Sequence, residues 1–487
     1  MKIGRIIQGG MGVAISDWRL ARAVSATGQL GVVSGTGIGT VVAARLTGGD
    51  PGGHVHRALE AFPDQEVARR VLHRYAAERG RRRRPPLWSP EPPRALVELT
   101  VVAAFAEVWL ARQGHTNPVG INLLEKIQMP TMATLYGAML GGVGVVIMGA
   151  GIPYQVPAIL AGLASHRPVS YRLELRGAPP DEWLPMDFDP AATLPGVVRR
   201  VGTLERPLFL PIVSSTVLAK ALLRRAPGGI DGFVVEAPTA GGHNAPPRGP
   251  LRLDRRGEPV YGPKDLVRPE QMAALGLPFW LAGGEDTPER LERALALGAA
   301  GVQVGTAFAY CEESGMDPEL KRRTLDAVRR GRATVRTDPV GSPTGYPFKV
   351  VQLPGTLSDT AVYRARPRRC DLGMLRSLVR REDGSLVLRC PAEPVNRFVA
   401  KGGRAEETEG AVCLCNGLLA TAGLPNRRED GFVEPPIVTS GDGLQSLGRF
   451  LTGGRRTYSA ADVLEHLLAP AGSGRIEEHL EPQPACR

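Results

Sequence analysis

Eight short apolar runs, each stopped by glycine or a small polar residue, constrain this chain more than any other feature. They centre near residues 5, 32, 121, 145, 210, 234, 280 and 303. Ile3–Ile7 ends in Gln8-Gly9-Gly10-Met11-Gly12, and Leu30–Ser34 ends in Gly35-Thr36-Gly37. Between them Ser16 to Val24 reads as a helix with Ser16 as its N-cap, closed by Gly28. Strand, helix and strand in that order make a parallel pair. The pattern continues through Val119–Leu123, Val143–Met148, Leu208–Val213, Phe233–Val235, Phe279–Ala282 and Gly301–Val304. Eight such units predict an α/β fold, a (β/α)8 TIM-type barrel whose strand C-termini carry the site. A doubly wound open sheet is the competing architecture, and the strand count favours the barrel.

The barrel is expected over residues 1–334, with insertions at about 38–116 and 169–206. In the first insertion Val41–Arg45, Gln65–Arg79 and Ala95–Arg112 read as helices packed outside the sheet. In the second, Val169–Leu175 is a candidate strand, whereas Glu182–Ala192 is rich in Pro and Asp and has no element assigned. From 335 to 487 Pro and Gly punctuate short runs without β/α alternation, which predicts a C-terminal extension over the barrel mouth.

No apolar run is long and charge-free enough to span a bilayer, since Glu107 interrupts Thr100–Leu110. With no signal-peptide pattern, a cytoplasmic protein without membrane partners is expected. The net charge of +11 invites a nucleic-acid reading. The one dense block, Arg79-Gly80-Arg81-Arg82-Arg83-Arg84, has no interleaved aromatics and reads as a solvated loop. Nucleic acid is therefore not an expected partner.

After the sixth run come Glu236-Ala237-Pro238-Thr239-Ala240-Gly241-Gly242-His243. Paired glycines let backbone approach a ligand closely, and a histidine there can hold or give a proton near neutral pH. A glycine turn with a solvated histidine is the competing reading. The turns Gly283-Gly284 and Gly305-Thr306 follow the seventh and eighth runs, where barrels often bind phosphate through backbone N–H groups.

Six motifs stand in the order found in nitronate monooxygenases, formerly 2-nitropropane dioxygenases. They are Ile6-Ile7-Gln8-Gly9-Gly10-Met11-Gly12, Gly28-Gln29-Leu30-Gly31-Val32, Pro118 to Leu124, Ala240-Gly241-Gly242-His243, Ala282-Gly283-Gly284 and Gly301 to Thr306. The chain resembles that family over roughly residues 1–330, and the related FMN-dependent enoyl-acyl-carrier-protein and polyketide enoyl reductases share these motifs. The resemblance implies FMN held by Met11, Asn122, Gly241, Gly284, Gln303, Gly305 and Thr306, with Val304 contributing backbone. Glu236 stands where the family usually has glutamine; a carboxylate there accepts from ribityl hydroxyls but disfavours an anionic reduced flavin.

His243 matches the family's active-site histidine, a base toward the α-carbon proton or an orienter of the nitronate. The implied reaction oxidises alkyl nitronates with dioxygen to a carbonyl compound and nitrite. The alternatives are an NAD(P)H-dependent enoyl-thioester reductase, and a flavin-carrying redox-partner protein docking through its extension. Asn244 to Gly249 is longer and richer in proline than the family's usual loop, so a different substrate is expected. Small-molecule substrate and dioxygen are the expected partners, with a homodimer as the assembly left open.

Of six cysteines, Cys311 and Cys486 stand apart, while Cys370, Cys390, Cys413 and Cys415 fall in the extension. Four thiolates there are candidate ligands for zinc or an iron–sulfur cluster; buried small hydrophobes are the plain alternative. His54, His56, His73 and His115 have no partner legible in the sequence.

Overall fold

A computed structural model describes residues 3–76, 84–179 and 181–472. Fourteen strands are described. In chain order they are β1 (Ile6–Gln8), β2 (Gly31–Ser34), β3 (Val119–Leu124), β4 (Val145–Gly149), β5 (Val169–Glu174), β6 (Trp183–Phe188), β7 (Leu208–Val213), β8 (Phe233–Glu236), β9 (Phe279–Ala282), β10 (Gly301–Val304), β11 (Val335–Asp338), β12 (Phe348–Val351), β13 (Ser377–Arg380) and β14 (Leu386–Arg389).

Eight of them form one parallel sheet in the order β1-β10-β9-β8-β7-β4-β3-β2. Its two ends meet. Ile7 bridges Leu30 in parallel, Gln8 N donates to Leu30 O at 2.9 Å, and Leu30 N donates to Ile6 O at 3.0 Å. The sheet is therefore a barrel and not an open doubly wound layer. A closed ring removes the unpaired strand edges an open sheet would expose. Ile7, Leu30, Val32, Val145, Ile147, Leu210, Val234 and Trp280 fill its interior, all at most 3% exposed. The alternate side chains, among them Ile6, Val33, Val146, Phe209 and Val235, face the surrounding helices.

The first insertion is helical, as its periodicity predicts. Its centre is Arg94–Ala111, buried on almost every face. An all-round apolar helix needs neighbours on all sides. It contacts the helices Trp18–Ser25, Ile38–Thr47, His54–Glu60, Gln65–Tyr75 and Thr131–Leu140. Glu107 survives there because Arg45 pairs with it and Trp18 N donates to it at 3.1 Å. A buried carboxylate is tolerated only when so partnered.

Three local expectations change. Asp17, not Ser16, caps the first helix, accepting from Arg19 N at 2.9 Å. Ser16 instead accepts from Met11 N at 2.8 Å and ties down the glycine-rich turn. The Pro- and Asp-rich stretch 182–192 contains β6, antiparallel to β5, with Met186 and Phe188 buried on alternate positions. Period-two burial outweighs the turn-forming composition there. His56 has a partner, Asp50, at 2.8 Å. Of the arginine block only Arg84 lies within the described residues, where it pairs with Asp371 at 2.6 Å; residues 79–83, and also Cys486, lie outside them.

Beyond β10 the architecture becomes irregular. Two antiparallel hairpins, β11–β12 and β13–β14, alternate with short helices. Residues 341–451 supply segments that cross the barrel mouth, and the helix Ala460–Leu468 packs on Trp18–Ser25 and Pro288–Ala296. A second apolar cluster lies within the extension, around Leu357, Leu414, Leu419 and Ile437. Among the described residues no helix is long and apolar enough to cross a membrane.

Candidate functional site

At the C-terminal ends of the barrel strands is a cavity with eleven glycines among its lining residues. Met11, Asn122, Glu236, Gly241, His243, Gly284, Gln303, Val304, Gly305 and Thr306 all line it. They come from β1, β3, β8, β9 and β10 or the turns just after them. Parallel strands of matched register end on one face, which is why residues so distant in sequence meet there.

The glycines have specific reasons. A Cβ on Gly10 would lie 2.2 Å from Asn122 Cβ. Gly283 has φ +100°, and a Cβ there would sit 2.8 Å from Thr239 Oγ1. Side chains at these points would fill the cradle.

Three buried polar atoms around the cradle lack any partner: Asn122 Oδ1, Gln303 Oε1 and Ser440 Oγ. Asn122 is oriented by donating its Nδ2 to Gly10 O at 3.1 Å, which leaves Oδ1 free. Buried polar atoms are nearly always satisfied, so orphans lining one cavity mark a polar ligand. A flavin mononucleotide, with ring N–H, ribityl hydroxyls and phosphate, fits this donor and acceptor set and the glycine-rich lining.

His243 is held by the extension. It bridges Phe348 of β12, and the two rings meet edge to face with centroids 4.8 Å apart. Its Nε2 is 2.7 Å from Ser342 Oγ. Ser342 Oγ is in turn 2.8 Å from Thr344 Oγ1, and both hydroxyl residues are buried. Desolvation pushes the imidazole down to about 4, so it is neutral at physiological pH. His243 is half-buried and lines the cavity.

Glu236 reaches the same cavity from the end of β8. Burial pushes its carboxyl up to about 8. At neutral pH it is a neutral acid with one O–H donor and one carbonyl acceptor. That is the hydrogen-bonding repertoire of the glutamine amide usual at this position in the resembling family. The anionic form is the minority species below that pH.

Several groups at the site carry no sequence signal. Gly242 N donates to Thr439 Oγ1 at 2.9 Å, and Gly441 N donates to Thr306 Oγ1 at 2.9 Å. Thr306, expected as a phosphate donor, thus already accepts one bond and keeps only its own proton to give. Ser342, Phe348, Thr439, Ser440 and Gly441 come from loops and a short strand without periodicity; only the Pro/Gly punctuation around 340–347 hints at a structured turn. Of the four unplaced histidines, none lines the cavity.

Of the four extension cysteines, Cys390, Cys413 and Cys415 belong to the extension's apolar cluster and Cys370 packs against it. Among the described residues no three His, Cys, Asp or Glu side chains are grouped to hold a metal ion. The metal expectation at Cys370, Cys390, Cys413 and Cys415, zinc or an iron–sulfur cluster, finds no support in that arrangement, which suits the buried-hydrophobe alternative.

Residues 200–341 match the family model described as nitronate monooxygenase. A probable nitronate monooxygenase of Bacillus subtilis is 37% identical over 116 residues, 24% of this chain and 31% of that protein. A nitronate monooxygenase of Pseudomonas aeruginosa is 33% identical over 187 residues, 36% of this chain and 46% of that protein. The chain thus spans about a third to a half of the length of these curated relatives. The structure of FabK from Thermotoga maritima is 17% identical with a TM-score of 0.46, covering 96% of this chain and 91% of that one.

Proposed function

We propose that this chain, residues 200–341 of which match the nitronate monooxygenase family model, is an FMN-dependent oxidoreductase that oxidises alkyl nitronates with dioxygen to a carbonyl compound and nitrite. The observation that carries it is that His243, kept unprotonated by desolvation, lines the same glycine-rich cavity as the unpartnered Asn122 Oδ1 and Gln303 Oε1. Bound FMN supplies the electron-accepting chemistry, as cofactors do in such enzymes. Met11, Asn122, Gly241, Gly284, Gln303, Gly305, Thr306 and the Val304 backbone would hold it, with Glu236 able to give and accept a hydrogen bond. The unpartnered Asn122 Oδ1 and Gln303 Oε1 would accept from its donors.

His243 takes the α-carbon proton of a nitroalkane on one ring nitrogen, or orients a nitronate already formed. Desolvation keeps the imidazole unprotonated, as a proton acceptor must be, at a cost in basicity, since a general base is most effective with its pKa near the operating pH. Ser342 fixes the ring through Nε2, and Phe348 blocks rotation on one side. The extension segments 341–348 and 439–441 cover the mouth and exclude water from the reacting atoms.

The test is a visible spectrum of the purified protein, followed by dioxygen uptake with propionate-3-nitronate or 2-nitropropane. A flavin spectrum and uptake matched by nitrite support the reading. Reduction of crotonyl thioesters by NAD(P)H, without nitronate turnover, would replace it with the enoyl-reductase reading. Flavin without either activity would favour a redox-partner protein. A colourless protein that takes up no FMN overturns all three.

A further inference from the structure

His243 is not the end of the hydrogen-bonded chain that holds it. Its Nε2 lies 2.7 Å from Ser342 Oγ, which lies 2.8 Å from Thr344 Oγ1. A backbone donor engages each hydroxyl as well. Thr344 N donates to Ser342 Oγ at 3.2 Å, and Tyr346 N donates to Thr344 Oγ1 at 3.3 Å. Ser342 and Thr344 are 4% and 9% exposed, so neither is open to bulk water along its length.

Thr344 lines a second cavity of about 90 Å³. The turn after β2 separates it from the central one, and alternate residues serve the two sides. Ser34 and Thr36 line the central cavity, Gly35 and Gly37 the second. A buried water needs roughly 10–15 Å³ of such space, so several fit. Lys126 and Glu174, paired at 2.6 Å, lie on the wall, and the Glu174 side chain is 49% exposed. The second cavity therefore meets bulk water at that pair. Arg176, also on the wall, donates to Thr344 O at 3.4 Å and holds that residue at the boundary.

The lone pairs allow the chain to run in either direction. A hydroxyl oxygen accepts two hydrogen bonds and donates one. The backbone N–H groups take one acceptor site on each oxygen. With a proton on His243 Nε2, Ser342 accepts from the ring and donates to Thr344, and Thr344 donates outward. With Nε2 bare, Thr344 donates to Ser342 and Ser342 donates to the ring. Both arrangements satisfy the same two backbone donors without moving a heavy atom. They differ by one proton, held at Nε2 in the first and delivered beyond Thr344 in the second.

We propose that Ser342 and Thr344 relay a proton between His243 Nε2 and water in the second cavity. The inference deepens the proposed reaction and rests on His243 acting as its base. Ser342 holds Nε2, so Nδ1 is the nitrogen left for the substrate. As the C–H bond at the α-carbon of a nitroalkane breaks, its electron pair stays with the forming nitronate and its proton joins Nδ1. The Nε2 proton passes to Ser342, the Ser342 proton to Thr344, and the Thr344 proton to a cavity water. The reverse shift, when Nδ1 gives up its proton, restores the first tautomer. The ring stays neutral throughout, as its desolvated setting favours. The positive charge appears instead in the second cavity, within reach of bulk water and of Glu174.

The test is Thr344→Val, which keeps the shape and removes the hydroxyl, with Thr344→Ser as its control. 2-Nitropropane needs its proton taken; its nitronate, formed beforehand in base, does not. Thr344→Val should lower kcat/KM for 2-nitropropane roughly five-fold more than for the nitronate, the worth of about one hydrogen bond. Thr344→Ser should keep the wild-type ratio. In mixtures of light and heavy water the wild-type rate with 2-nitropropane should curve with deuterium fraction, because several protons move together, and become linear in Thr344→Val. Equal losses on both substrates, or a linear dependence in the wild type, would overturn the relay. Nitrogen NMR of protein carrying isotope-labelled histidine, with His243→Gln identifying the signal, reads the ring without turnover. Nε2 should carry the proton in the wild type, and Thr344→Val should move it to Nδ1. A tautomer unchanged by Thr344→Val, or a wild-type ring protonated only at Nδ1, would overturn the relay too. The wild-type spectrum decides alone if Thr344→Val does not fold. Enoyl-thioester reduction in place of nitronate turnover would sink the proposed function, and the tautomer measurement would still judge the chain.

Discussion

The barrel and the extension both face the cavity, but they hold their residues in place by different physics. The barrel positions Met11, Asn122, Glu236, Gln303 and Gly305 through parallel ladders closed on themselves, and each group sits at or just beyond a strand end. The extension positions Ser342, Phe348, Thr439 and Gly441 through loops stitched to the barrel by single bonds, such as Lys349 N to Gly242 O and Asp442 N to Thr239 O. The barrel part is a preorganised cradle, fixed by a core of nine buried residues inside the ring. The extension part is a clamp on His243. A cradle is insensitive to any one hydrogen bond but intolerant of added volume. A clamp tolerates volume at its margins but depends on individual contacts. Charge follows the same division: desolvation acts on Glu236 and His243 where both regions enclose them.

That contrast is open to attack at several points. The largest effect is expected from His243→Ala, which removes the base and leaves the cradle alone. Turnover should fall by about 10²–10⁴-fold while the flavin spectrum is retained; stopped-flow kinetics and absorbance together check it. A fully active variant would remove His243 from the chemistry.

Next is Gly10→Ala, which tests the cradle. Its Cβ meets Asn122 Cβ at 2.2 Å, so the turn or Asn122 must move. Overpacking of this kind costs about 1–3 kcal/mol, and FMN affinity should fall by roughly 10- to 100-fold, measured by equilibrium titration of the apoprotein. Unchanged affinity would mean that the cradle does not hold the flavin.

Ser342→Ala tests the clamp. Loss of one hydrogen bond of about 1 kcal/mol predicts roughly five-fold slower turnover with FMN binding unchanged. The conservative Ser342→Thr should recover part of the rate if the hydroxyl fixes the ring. Equal loss in both variants would point to packing instead.

The smallest expected effect is in pH dependence. Glu236 has a folded value of about 8, raised by burial above its ordinary carboxyl range. The folded state then holds a proton that the unfolded state has lost. Its stabilising contribution is full below the ordinary carboxyl value and declines as pH rises toward 8, then stays flat. Wild-type melting temperature should therefore drop over that window more than that of Glu236→Gln. The variant should also lose the alkaline limb of flavin binding. His243 has the opposite sign: lowered to about 4, it favours the folded state above its ordinary value and ceases to do so as pH falls through 4. Parallel pH profiles for wild type and Glu236→Gln would show that the carboxyl is not buried in solution as it is here.

Much of the barrel was legible because its information is local. Eight apolar runs, the helices Pro288–Ala296 and Val156–Ala164, and the glycine turns can each be read within a dozen residues. Motif order gave the ten cavity residues in the same way. β6 was hidden because prolines and aspartates read as turn residues while its buried alternation is fixed by the neighbouring β5 and Tyr136. The cap at Asp17 was hidden because Ser16 is equally suited to the role, and only the path of the glycine turn engages it elsewhere.

By itself the sequence determined the ring of strands, where each one stops, and which residues stand at the stops, because periodicity and glycine act over short distances. Only the tertiary structure decided that Ser342 meets His243, that burial raises the Glu236 carboxyl, and that the extension's scattered cysteines pack in one apolar cluster. Desolvation and long-range convergence depend on everything that packs around a group, and no short stretch of sequence contains that sum.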